Sequence, residues 1–305
     1  MKGTVIKSTG SQYQVRLDDG RQVVCRIRGN LRLQDFEATN PLAVGDHVMV
    51  ELRDDDFSLV TEIVPRKNYI IRKSIKLSRQ VQVLAANIDQ ALVIATPVLP
   101  KTSLGFIDRF LATAEAYTIP AGILFNKCDL YTEEIWSWIH ELKELYTGIG
   151  YKVLVASSLQ PEKVELLHAE LKDKVTLFSG HSGVGKSSLI NGLIPGLGLK
   201  TSVLSTMHAK GTHTTTFAEM HVLPGGGFII DTPGIREFGI IDFNRAEVSH
   251  YFPEIFKVSK DCRFNNCLHF NEKDCAVKDA VEEGRIAMSR YMNYLSILED
   301  RDIFR

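Results

Sequence analysis

Between residues 3 and 65 the chain alternates apolar and polar positions in short runs: Thr4-Val5-Ile6, Tyr13 to Leu17, Val23 to Ile27, Val48 to Leu52 and Leu59 to Val64. Turn residues at Asp19-Gly20 and Val44-Gly45-Asp46 separate them, so the pattern predicts a small antiparallel barrel of about five strands. In the third run Val23, Cys25 and Ile27 share one face, and Val24, Arg26 and Arg28 share the other. One face is core and the other cationic.

From about residue 80 the rhythm becomes apolar strands alternating with amphipathic helices, which predicts a mostly parallel sheet covered on both faces. The expected strands are Ala91 to Thr96, Ala121 to Phe125, Lys152 to Ala156, Val175 to Phe178, Glu219 to Leu223 and Phe228 to Asp231. Helices fit at Phe106 to Tyr117, Glu133 to Tyr146, Glu162 to Leu171 and Lys186 to Ile194. Past about residue 245 strands cease, and Ile286, Tyr291, Leu295 and Leu298 mark a closing helix. The expected units are 1–66, 67–244 and 245–305.

Composition changes this picture little. The 305 residues are 44% apolar, enough for a sizeable core and more than one domain. Thirty-six Lys and Arg against thirty-seven Asp and Glu leave a net charge of -1, so global charge points to no polyanionic partner. Local charge does: residues 66 to 79 carry six basic residues and no acid, and residues 1 to 34 carry seven basic against two acidic. Such a run is either a solvated connector or, beside a barrel and including Tyr69, a nucleic-acid contact. The candidate RNA contacts are Arg26, Arg28, Arg66, Lys67, Arg72 and Lys73. No apolar run approaches the ~20 residues of a membrane span, and the N-terminus lacks an apolar signal core, so a soluble cytoplasmic protein with no membrane partner is expected.

Gly180-His181-Ser182-Gly183-Val184-Gly185-Lys186-Ser187 fits the phosphate-loop pattern G-x-x-x-x-G-K-[ST], with an apolar strand before it and a helical run from Ser188 after it. Its backbone N–H groups and helix N-terminus suit phosphates, Lys186 the β and γ oxygens, and Ser187 a Mg²⁺ ion. Asn126-Lys127-Cys128-Asp129 fits the guanine-reading pattern N-K-x-D: the Asp129 carboxylate accepts from the ring N–H and exocyclic amine, which adenine would leave unpaired. Ser157 and Ser158, after the next strand, suit the guanine carbonyl or a helix cap. Asp231-Thr232-Pro233-Gly234 offers a carboxylate toward Mg²⁺ and a Gly234 N–H toward the γ-phosphate. In Gly211-Thr212-His213-Thr214-Thr215-Thr216, Thr214 or Thr215 is the candidate that reaches the metal, Thr215 being carried forward.

Base-reading elements precede the phosphate loop and both switches follow it, whereas the usual GTPase order starts from the phosphate loop; this is a circular permutation. Where signalling GTPases carry the water-orienting Gln, Ile235 stands, so the candidate for positioning water is His213, beside Lys186 and Thr215 in a catalytic set. Cys262, Cys267, His269 and Cys275 give C-x₄-C-x-H-x₅-C, a Cys₃His set suited to one structural Zn²⁺.

The permuted order, the motifs G-H-S-G-V-G-K-S-S-L-I-N, H-T-T-T and D-T-P-G-I-R-E-F, and the Cys/His cluster together resemble the ribosome small-subunit-dependent GTPase A family of bacteria, over essentially the whole chain. The resemblance implies an N-terminal OB-fold, a permuted P-loop GTPase domain and a mainly helical C-terminal zinc domain. It further implies a role late in maturation of the small ribosomal subunit. The leading reading is a GTP hydrolase, working with Mg²⁺, that uses its cycle to bind and leave the small subunit and its rRNA, with slow basal hydrolysis that the subunit accelerates. A GTP-gated RNA-binding module with incidental hydrolysis and a metal-handling GTPase remain alternatives. Monomer is the default expectation.

Overall fold

The computed structural model describes residues 1–9, 12–28, 41–53, 56–73, 81–201, 218–231 and 244–299. Five strands open the chain: β1 (Lys2–Ser8), β2 (Tyr13–Leu17), β3 (Gln22–Ile27), β4 (His47–Glu51) and β5 (Ser58–Ile63). They pair in the order β1-β2-β3-β5-β4, and β4 returns to β1 to close a five-stranded OB-fold barrel. Its core is the inward set Val5, Tyr13, Val15, Leu17, Cys25, Val48, Val50 and Val60, as the alternation demands. Arg26 and Arg28 point outward, and the Arg26 guanidinium lies 3.8 Å from the Phe57 ring centre.

Next comes an antiparallel hairpin of β6 (Tyr69–Lys73) and β7 (Val81–Ala86). The sequence reading treats this stretch as a basic connector. Ile70, Val83 and Ala85 are buried against the next core, a signal that the flanking lysines and arginines obscure. Arg72 and Lys73 lie in β6.

The central sheet follows: β8 (Gln90–Ala95), α1 (Leu104–Ala116), β9 (Ala121–Phe125), α2 (Glu133–Ile149), β10 (Lys152–Val155), α3 (Pro161–Leu171), β11 (Val175–Ser179), α4 (Lys186–Leu193), β12 (Glu219–Val222) and β13 (Phe228–Asp231). Strand order is β10-β9-β8-β11-β13-β12, parallel except for the β12–β13 pair. One face packs Val93, Ile107, Phe110, Ile123 and Ile139 under α1 and α2; the other packs Leu92, Leu124, Phe178, Leu189 and Ile190 under α3 and α4. The expected strands and helices match these elements to within a few residues.

The barrel and the sheet are one continuous hydrogen-bonded surface, because β12 pairs antiparallel with β1 at Lys7 and Glu219. A second joint lies at Gly45-Asp46. The Gly45 backbone sits so close to Ala86 that a Cβ there would fall 2.1 Å from the Ala86 carbonyl oxygen, and its φ of +91° is one that glycine tolerates. The fully buried Asp46 carboxylate accepts from Arg66 Nε at 2.6 Å and Nη2 at 2.7 Å. Arg66 is therefore a structural group, and the expectation that it faces RNA is withdrawn: its charge is consumed by an internal carboxylate. Lys67 also has an acidic partner, Asp89.

The C-terminal unit holds a turn at Val248–Tyr251, then α5 (Pro253–Ser259), α6 (Ala276–Glu282) and α7 (Met288–Leu298), around Phe252, Ile255, Val277, Ile286 and Tyr294. Among the described residues no helix is long and apolar enough to cross a membrane.

Candidate functional site: a permuted nucleotide pocket and a Cys/His cluster

Three loops at the carboxyl ends of β9, β10 and β11 converge, where open α/β sheets bind ligands. The 180–185 loop joins β11 to α4, with positive φ at Gly180, Gly183 and Gly185. At Gly185 a Cβ would lie 2.5 Å from Asn126 Nδ2, so a side chain there would push the 126–129 loop away. Asn126 Nδ2 donates to the Val184 carbonyl at 2.8 Å, and Lys127 Nζ donates to the Gly183 carbonyl at 2.7 Å. The residues separated in sequence by more than fifty positions are thus laced into one site.

Lys127 has left-handed backbone (φ 64°), which turns its stem back over the phosphate loop, and it also donates to the Leu99 carbonyl at 2.5 Å. That Leu99 contact has no signal in the sequence. Asp129 accepts from Ser157 Oγ, whose oxygen also takes the Leu159 N–H at 3.1 Å, so the Ser157 loop is tied to the carboxylate it stands beside. Ser158 follows, half-buried. Asn126 Oδ1 is buried without a partner, an acceptor free for a base edge or loop N–H.

At the phosphate end, Lys186 Nζ donates to the Gly180 carbonyl at 2.8 Å. Burial lowers its proton affinity, opposed by the Asp231 charge. Asp231 stands at the end of β13, in register with Phe178 on the strand that delivers the loop. Burial raises its pKa, with Lys186 opposing, and its Oδ1 is buried with no partner. A buried, orphaned carboxylate oxygen within the field of Lys186 is a fit for a hard cation that takes oxygen ligands, as Mg²⁺ does. His181 packs on Phe106 of α1 with ring centres 3.8 Å apart and planes tilted by 31°, a contact the sequence reading misses. Ser182 is exposed at the loop tip, and Ser187 and Ser188 open α4. His213, Thr214, Thr215 and Gly234 lie outside the described residues.

The second cluster brings Cys262, Cys267, His269 and Cys275 together, with ligand atoms all within 4.8 Å of one another. Sγ–Sγ separations of 3.9 and 3.7 Å and Sγ–Nδ1 separations of 3.5 Å run along its edges. A tetrahedron with Zn–S near ~2.3 Å and Zn–N near ~2.1 Å has edges of about 3.8 and 3.6 Å, so the cage has the size of a zinc site. Burial lowers the pKa of His269, against the Glu272 charge, which keeps its imidazole neutral as a ligand must be. Glu272 accepts the Leu268 and Phe270 N–H groups at 2.7 and 2.8 Å and so shapes the loop around His269.

The motif order along this sheet, base loops before phosphate loop, is the permuted one. A family model described as RsgA GTPase matches residues 63–241, and one described as RsgA N-terminal domain matches residues 2–60. The chain belongs to the RsgA GTPase family. It is 55% identical over 302 residues to the small ribosomal subunit biogenesis GTPase RsgA of Bacteroides fragilis, spanning 99% of this chain and 97% of that one. It is 52% identical over the same length to RsgA 2 of Bacteroides thetaiotaomicron, with the same coverage. Among solved structures, YjeQ of Thermotoga maritima superposes with a TM-score of 0.81 at 33% identity, covering 98% of this chain and 97% of that one. YloQ, described as a circularly permuted GTPase, gives 0.76 at 30% identity, covering 98% and 94%. As an RsgA-family member this chain is a GTP hydrolase.

Proposed function

We propose that this RsgA-family GTPase binds the small ribosomal subunit and its rRNA, acts late in the subunit's maturation, and leaves when subunit-stimulated hydrolysis has spent its GTP. The observation that carries this reading is the continuous sheet: β12, whose neighbour β13 ends in Asp231, hydrogen-bonds to β1 of the barrel. A change at the phosphates and a change at an RNA-facing barrel therefore act on one continuous hydrogen-bonded sheet. The role of the Bacteroides relatives in small-subunit biogenesis supports the same partner.

In this reading residues 1–66 form the RNA-binding unit, 67–244 the GTPase and 245–305 the zinc unit, and the protein works as a cytoplasmic monomer. Asn126, Lys127, Asp129, Ser157 and Ser158 hold guanine, and residues 180–188 cradle the phosphates. Lys186 neutralises the β and γ oxygens. Ser187, Asp231 and Thr215 hold Mg²⁺, which supplies charge neutralisation across the β and γ phosphates. Ile235 can neither donate nor accept a hydrogen bond, so His213 positions the attacking water by accepting its proton-side hydrogen bond. Gly234 reads the γ-phosphate.

Cys262, Cys267, His269 and Cys275 hold one structural Zn²⁺, with four protein ligands closing the site to substrate. On the barrel, Arg26 over Phe57 offers a cationic and aromatic stacking surface for unpaired bases, with Arg28 on the same face. Lys67, Arg72 and Lys73 extend the basic region.

Single-turnover GTP hydrolysis with and without small subunits, read beside nucleotide-dependent co-sedimentation, tests the proposal. The expected result is faster phosphate release with small subunits and loss of co-sedimentation in GDP. Equal rates would overturn the stimulation.

A further inference from the structure

Lys7, Glu219 and Asp231 occupy directly opposed positions on three adjacent strands, β1, β12 and β13. Opposed residues on antiparallel strands carry their Cβ atoms about 4.5–5.5 Å apart on the same face, and like charges in that relationship repel. Glu219 and Asp231 are such a like-charged pair. The sheet tolerates them because each has a cation: Lys7 Nζ lies 2.9 Å from Glu219 Oε1, and the half-buried Lys186 attracts the Asp231 charge. His221, two residues along β12, lies within the same group of charges, and burial disfavours its cationic form. Glu219 and Lys7 are each about one-third exposed, so their charges are only partly screened by water.

We propose that Glu219 of the edge strand and Lys7 of the barrel are positioning residues that set, with opposite signs, the Mg²⁺ affinity of the nucleotide site through the field at Asp231. The inference rests on the reading of Asp231 as a metal-holding carboxylate. Glu219 adds negative potential where the cation sits and raises its affinity. Lys7 attenuates that potential from across the domain boundary, so the barrel contributes a charge to a site it does not line.

The test is the release of a fluorescent GDP from the full-length protein, titrated with free Mg²⁺, with the midpoint of the Mg²⁺ effect as the readout. A unit charge near a divalent ion at partly screened distance shifts affinity by about three- to fivefold. Glu219→Gln is expected to raise the midpoint by that factor and Lys7→Met to lower it by a similar one, while the double variant returns to within about twofold of wild type. Lys7→Arg keeps the charge and is expected to keep the midpoint, which controls for folding. Single variants that shift the midpoint in the same direction, or leave it in place while wild-type release responds to Mg²⁺, overturn the proposal. Wild-type release indifferent to Mg²⁺ would instead remove the metal reading beneath it.

Discussion

Arg290 of α7 donates from Nη1 to Asp108 Oδ1 of α1 at 2.7 Å, an ion pair between two side chains each 1% exposed. The same guanidinium reaches Glu254 of α5 at 2.7 Å, and Asp108 also accepts from Tyr146 and Asn293. Burial opposes the charge on Arg290, but the attraction of Asp108 and Glu254 outweighs it and moves its pKa up. The network pins the C-terminal unit to a helix of the GTPase domain. Arg290→Ala leaves two acids facing an empty cavity and is expected to cost about 3–5 kcal/mol, because an uncompensated buried charge is far worse than no ion pair at all. Arg290→Lys is expected to recover only part of this, since an ammonium cannot address both carboxylates as a planar fork does. Urea unfolding of the three proteins checks the order.

In the proposed reading Asp129 carries the choice of base. Asp129→Asn exchanges an acceptor for a donor where guanine presents its exocyclic amine, and two charge-assisted hydrogen bonds are worth enough that GDP affinity is expected to fall about a hundredfold or more. Xanthine has a carbonyl at that position, so the variant is expected to prefer XDP. Ser157→Ala removes only the neighbour that steadies the carboxylate and is expected to cost a few-fold. Equilibrium binding with both nucleotides distinguishes these outcomes.

The motifs were legible because their chemistry is local: the phosphate loop, N-K-x-D and the Cys₃His spacing are each read within fourteen residues or fewer; the sheet brings the first two together, and the turns before α6 gather the third. The contacts that assemble the units were not. Asp108 and Arg290 lie 182 positions apart, and a lone Asp on a helix gives no sign of its partner. Arg66 read as surface charge because Asp46, which consumes it, is hidden in a turn twenty residues away. The β6 strand escaped notice because its alternation is short and flanked by lysines and arginines.

Phe106 supports the phosphate loop from α1 by packing its ring against His181. Aromatic pairs contribute about 0.5–1.5 kcal/mol beyond area burial, so Phe106→Ala is expected to speed GDP release by about two- to tenfold. Phe106→Leu keeps apolar volume without a ring face and is expected to fall between. Stopped-flow release of a fluorescent GDP measures it, and unchanged rates in both variants would mean that the loop holds its shape without α1.

The Cys₃His cage makes a pH-dependent prediction whose sign follows from its thiols. In the metal-free cage, burial and the neighbouring sulfurs push Cys267 up to about 12, and burial also raises Cys275. At pH 7 these groups carry their protons, whereas zinc takes thiolates. Loading the site therefore releases protons, the two held by Cys267 and Cys275 among them. Each proton released makes affinity rise tenfold per pH unit, so these two thiols are expected to weaken zinc retention by about a hundredfold between pH 8 and pH 7. The imidazole adds no proton in this range, because burial holds His269 neutral. Competition with a chelator of known affinity at the two pH values gives the slope. Cys275→Ser is expected to abolish stoichiometric zinc and to open residues 245–299 to trypsin while GDP binding persists, because the cage packs with α5, α6 and α7 rather than with the nucleotide loops. Zinc retention independent of pH would mean that the thiols are already ionised before the metal arrives.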